Sequence, residues 1–143
     1  MSLTQPANDR LSRIDQARDL VFHGQAAPGT EVPQWVMQSW QRCLTMGLEP
    51  EHKVGFDAVS AQQMRRVQEA SWPLVQAAQP VLAELARAIA DIRYFAILTN
   101  AEGVVVDVHG PVDRQDRRAD VIARVGVDLS EKSVGTTSIS AAL

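Results

Sequence analysis

An α+β fold is predicted by a change of hydrophobic period along the chain. Apolar residues recur every three or four positions over 8–23, 33–46 and 60–91, and the pattern then gives way over 94–108 to two short runs of β-branched and aromatic residues joined by a turn. Charged, helix-like sequence returns over 112–124, and a last helical stretch is expected over 136–143. Two strands make a marginal sheet, because a lone hairpin leaves its faces uncovered and its edges unpaired. The expectation is therefore N-terminal helices followed by the first half of an antiparallel-sheet domain, truncated at residue 143, with segments at 4–57 and 58–143.

The first helix rests on Leu11, Ile14, Ala17 and Val21, with Asn8 or Asp9 placed to cap its start and Gly24 to end it. Residues 24–30 read as a loop, since Pro28 and Gly29 punctuate them. Pro33 suits the first turn of the second helix, whose stripe is Val36, Trp40, Cys43 and Leu44. Gly47 then supplies a left-handed cap, Leu48 folds back on the last turn, and Pro50 forbids continuation. Ser60-Ala61-Gln62-Gln63 has the form of a capping box. The stripe after it runs through Met64, Val67, Ser71, Leu74, Val75, Val81, Leu82, Leu85 and Ile89, interrupted by Pro73 and Pro80, so two helices or one kinked helix are expected. Tyr94–Thr99 and Val104–Val108 form the hairpin, with Asn100 opening its turn and Gly103 free to take positive φ. Gly126–Leu129 reads as a break, and Ser130 or Glu131 starts another turn.

Composition narrows the function. The 143 residues are 45% hydrophobic and 22% charged, the balance of a chain that folds around a core. Nucleic-acid binding by the whole chain is disfavoured by a net charge of −3, and Arg114, Arg117, Arg118 and Arg124 are interleaved with Asp113, Asp116 and Asp120. No stretch is apolar for long enough to span a bilayer, and no cationic-then-apolar segment opens the chain. A cytoplasmic location without membrane association is the expectation.

Chemistry-bearing constellations are sparse. Cys43 is the sole cysteine and sits on the apolar side of its helix, so it reads as a buried structural thiol. His23, His52 and His109 show no ligand spacing, and neither a metal site nor a cofactor is expected. No nucleophile–base arrangement is visible, so the chain is read as not an enzyme. Trp35, Trp40 and Trp72 fall on helices and are expected to be buried anchors. The Gly135–Ser138 run either presents N–H groups and hydroxyls to a polar ligand or caps the helix that follows.

Three separated blocks carry a family resemblance. Ser39-Trp40-Gln41-Arg42-Cys43 with Gly47-Leu48-Glu49-Pro50 resembles the "SWxRC…GLxP" signature of acetoin- and glycerol-type activators of sigma-54 RNA polymerase. Leu98–Val105 is similar to their "LTDADGVVL" hairpin. Gly126, Ser130-Glu131, Gly135-Thr136 and Ser140–Leu143 follow "G…WSE…GTNAIGTAL", with Leu129 in place of the Trp and Thr137 in place of the Asn.

The resemblance implies a GAF-type sensory domain preceded by helices. It also implies that DNA and sigma-54 RNA polymerase are met only through an ATPase module and a helix-turn-helix absent from these residues, which contain no phosphate-binding loop. The function expected on this basis is small-molecule sensing. A small organic metabolite would be bound by Tyr94, Phe95, Asp107, Thr136, Thr137 and Ser138 in a pocket between sheet and helices, within a homodimer. The alternative is a helical dimerisation module whose GAF-like core binds nothing.

Overall fold

A computed structural model describes residues 5–25, 27 and 32–143, with side chains from Asp9 onward. Its elements are α1 (Gln5–Phe22), α2 (Gln34–Thr45), α3 (Ala61–Ala88), β1 (Ala96–Thr99), β2 (Val105–His109), α4 (Arg117–Ile122) and α5 (Glu131–Val134). The fold is α+β, as the change of period predicts. Among the described residues no helix is long and apolar enough to cross a membrane.

α1 begins at Gln5, so Asn8 and Asp9 lie within its first turns and do not cap it. It buries Ala17 and Val21, while Leu11 is left exposed. Most of the expected 24–30 loop lies outside the described residues. Pro33 is the residue just before α2, with extended ψ, and the helix starts at Gln34. Its C-terminus closes as a Schellman motif: Leu48 N–H donates to the Cys43 carbonyl at 2.9 Å and Gly47 N–H to Leu44, with Gly47 at φ 79°. α1 and α2 pack on each other, and Phe22 stacks on Trp40 with ring centroids 6.5 Å apart. Trp35 and Trp72, expected as buried anchors, are both more than half exposed.

α3 is one helix of 28 residues with both prolines inside it. Pro73 and Pro80 deprive the carbonyls of Glu69 and Gln76 of their helical donors, but all four residues are exposed, where a missing backbone donor costs least. Ser60 Oγ accepts the Gln63 N–H at 3.2 Å and caps the start. The buried and half-buried face is Met64, Val67, Ser71, Val75, Ala78, Leu82 and Ala86, which covers β1 and β2.

The hairpin is antiparallel, pairing Ala96 with His109 and Leu98 with Asp107, with an irregularity at Leu98/Thr99. Asn100 Oδ1 accepts the N–H groups of Glu102 and Val104 and holds the turn. The supposed break at 126–129 is instead an extended rung beside β2. Val105 N–H donates to Val127, Gly126 to Val105 and Leu129 to Gly103, and on the other side Asp128 N–H donates to Asp57 and Val59 N–H to Gly126. These contacts add Ala58–Val127 and Val104–Asp128 bridges to the pair and relieve the lone-hairpin problem. The core forms here, from Val105, Val127, Leu129 and Val134, with Phe56, Ile97, Val108, Ile122 and Ile139 packed around it.

Two expected helices are shorter than their composition suggests. Only Arg117–Ile122 is helical in 112–124, capped by Asp116, whose carboxylate accepts from Arg118 and Ala119. Residues 136–143 form turns: Thr137 and Ser140 bond reciprocally, each side chain to the other's N–H, and no sustained helix follows.

Candidate functional site

Ser39, Arg42 and Cys43 occupy positions i, i+3 and i+4 of α2, which puts them on one face. That face meets the start of α5. Arg42 donates through Nε to Glu131 Oε2 at 2.8 Å and through Nη2 to Oε1 at 2.9 Å, a bidentate pair. Ser39, fully buried, donates to the same Oε1. Ser39 Oγ is also 2.7 Å from Thr136 Oγ1, and the Cys43 sulfur lies 3.6 Å from that hydroxyl. Three side chains of α2 thus share one carboxylate and one hydroxyl from a distant motif. We refer to this arrangement as the clasp.

The guanidinium of Arg42 holds the Glu131 carboxyl below its ordinary range, and the Ser39 hydroxyl adds to the effect against the opposing cost of burial. Glu131 is ionised at neutral pH with its side chain only 14% exposed. The α5 start is fixed independently by Asp128, whose carboxylate accepts from the Ser130 N–H and the Ser133 hydroxyl. Burial acts to raise the Asp128 carboxyl, but hydrogen bonds from Ser130 and Ser133 together with the nearby Lys132 charge hold it low. Gly135 ends α5 at φ 73° and delivers Thr136 to α2.

Beside the clasp is a cavity of about 190 Å³. Its inner wall is Phe22, Trp40, Cys43, Leu48, Val134 and Thr136, and Arg18, Glu49 and His52 stand at its exposed rim. It lies where the N-terminal helices meet the sheet-containing part.

Of the residues expected to bind ligand, Thr136 alone lines this cavity. Tyr94 is largely exposed and Phe95 half-buried at the foot of the hairpin, near Gly110. Asp107 lies on β2 and pairs with His109 at 2.8 Å. Thr137 is engaged with Ser140, and Ser138 is exposed in the turn. The six therefore sit in three places. Ser39, Arg42 and Glu131 were not among them, although all three stand inside the quoted motifs. A polar Ser39 within an apolar helical stripe is the signal that points to a specific partner.

Residues 12–143 match the family model described as MimR, N-terminal domain. The chain is 27% identical over 142 residues to the propane 2-monooxygenase operon transcriptional activator MimR of Mycolicibacterium goodii, covering 99% of this chain and 23% of that protein. It is 30% identical over 136 residues to the activator of the same name from Mycolicibacterium smegmatis, covering 94% and 22%. To the acetoin catabolism regulatory protein of Cupriavidus necator it is 29% identical over 114 residues, covering 76% and 16%. The chain thus spans less than a quarter of the length of these relatives. No solved structure matches it.

Proposed function

Because the chain belongs to the MimR N-terminal domain family, we propose that it is the sensory front region of a bacterial transcriptional activator of the sigma-54-dependent, GAF-containing kind. A small organic metabolite binds the region and favours one arrangement of the α1–α2 helices over another. The preference is passed to ATPase and DNA-binding modules elsewhere in the full-length protein. The relatives are named as an operon activator and a catabolism regulator, which supports a regulatory and not a catalytic role.

The observation that carries the reading is the clasp. Ser39 and Arg42 on α2 grip Glu131 and Thr136 across 89 to 97 residues of chain, so a ligand that alters one side displaces the other. Among Tyr94, Phe95, Asp107, Thr136, Thr137 and Ser138, Thr136 is the contact this geometry favours. The test is calorimetric titration of the 143-residue chain with a panel of short-chain ketones, hydroxyketones, diols and carboxylates. At least one should bind, and Arg42→Ala in the full-length activator should abolish the promoter's response to it. A panel without a single binder would defeat the sensing reading.

A second reading, self-association, has its own support. The α3 surface beside the buried face exposes Ala70, Leu74, Ala77, Val81, Leu85 and Ala88, an apolar row without a charge. A second copy of the chain, related by two-fold symmetry, is the occupant we propose for it.

A further inference from the structure

The cavity under Trp40 abuts one end of the clasp, and the direction of the hydrogen bonds there dictates what a ligand must offer. Ser39 Oγ spends its proton on the ionised Glu131, so toward Thr136 it acts as acceptor. The Thr136 hydroxyl is then the donor in that 2.7 Å contact and turns only lone pairs to its other neighbours. The group now meeting those lone pairs is the Cys43 thiol, 3.6 Å away and a weak donor. A ligand hydroxyl would improve on it, whereas a ketone oxygen would set acceptor against acceptor.

Size and charge add two constraints. An apolar cavity of about 150 Å³ holds benzene, so the space beside Thr136 suits a molecule of about four to eight heavy atoms. Phe22, Trp40, Leu48 and Val134 offer apolar wall. The rim charges Arg18 and Glu49 are opposite in sign, and Arg18 already pairs with Asp15 at 3.3 Å. A net charge on the ligand would leave water without gaining a buried partner.

We propose that this cavity binds a small uncharged alcohol whose hydroxyl donates to Thr136 Oγ1 in place of the Cys43 thiol. Binding extends the hydrogen-bonded chain through Thr136 and Ser39 to Glu131 and tightens α2 against α5. The inference rests on the sensing reading and names its site and ligand class.

Butan-2-ol and butan-2-one, nearly equal in shape, make the test by amide-shift titration of the 143-residue chain. Butan-2-ol should move the signals of Cys43, Gly135, Thr136 and the Trp40 indole, with an affinity at least about tenfold above that of the ketone. Thr136→Val should erase that preference and Cys43→Ala should keep it. Cys43→Ser, which installs a stronger donor to Thr136, should weaken the alcohol and spare the ketone, and it carries the test if Thr136→Val does not fold. Equal affinities in the unaltered chain, or a preference that survives Thr136→Val, would overturn the proposal. Shifts confined to Tyr94, Phe95 and Asp107 would move the site and leave sensing intact. Failure of the wider metabolite panel would remove sensing itself.

Discussion

Glu131 receives three donors, two from Arg42 and one from Ser39, and it does so with a side chain that is mostly buried while Arg42 remains 55% exposed. Solvent screens the Arg42 side of the pair, so the stabilisation stays well under that of a buried ion pair. Glu131→Gln keeps the shape and removes the charge, and the expected cost is about 1–2 kcal/mol in urea unfolding. Ser39→Ala leaves both Glu131 and Thr136 short of a partner and should cost about 1–3 kcal/mol. Because the folded Glu131 carboxyl titrates below its ordinary value, its contribution is present above about pH 4.3, the unfolded value, and is lost as pH falls through the lower folded one. Asp128 is shifted in the same direction, so removing Glu131 should flatten the acid limb only in part. Unfolding midpoints followed from neutral to acid pH measure this. Curves for Glu131→Gln and the unaltered chain that fall in parallel would remove Glu131 from the acid response.

Turns and caps separate conformational from steric demand. Gly47 and Gly103 both have positive φ, yet a Cβ on Gly47 would meet nothing within 4 Å, whereas one on Gly103 would lie 2.9 Å from the Ser130 nitrogen and 2.8 Å from Leu143. Gly47→Ala should therefore cost only the left-handed penalty, about 1 kcal/mol, and Gly103→Ala at least about 2 kcal/mol more. Thermal melts of the two variants give the comparison, and equal losses would show that the hairpin turn does not pack on Ser130 as described. The same contrast explains what was legible in the sequence. The Gly47 cap needs only its neighbours, so Gly47-Leu48-Glu49-Pro50 reveals it outright. Asn100 and Gly103 likewise announce their turn. The 126–129 rung was missed because Val127 and Leu129 alternate too briefly to register as a strand, and the segments that flank them, 57–59 and 103–105, are remote in sequence. At 136–143 the Ala- and Ser-rich composition suggested helix, but Thr137 and Ser140 satisfy each other locally and stop it after one turn. Of the candidate site, Thr136 was legible from its motif. Its bond to Ser39 was not, since no local pattern reports a contact across 97 residues.

At the scale of the molecule, α3 carries two apolar rows where the sequence shows one broad stripe. Met64, Val67, Ser71, Val75 and Leu82 face the hairpin, and Leu74, Val81 and Leu85, which the stripe also included, are 42%, 67% and 43% exposed. The exposed row, Ala70 through Ala88, advances by three or four residues at each step, the pattern of a helix–helix seam, and its alanines allow close approach. From Ala70 to Ala88 the seam runs about 27 Å at 1.5 Å per residue. Such a seam falls at or below the roughly 1,200 Å² lower bound of specific interfaces, so the dimer it forms should be weak. Sedimentation velocity over a dilution series should accordingly show a monomer–dimer equilibrium shifting with concentration. Val81→Glu together with Leu85→Glu should shift it to monomer with little change in thermal stability, because Val81 is largely in water and Leu85 is exposed rather than buried in the core. Monomer at every concentration, with cooperative unfolding, would show that α3 tolerates its exposed row unpaired. A dimer that persists in the double variant would place the interface on another face.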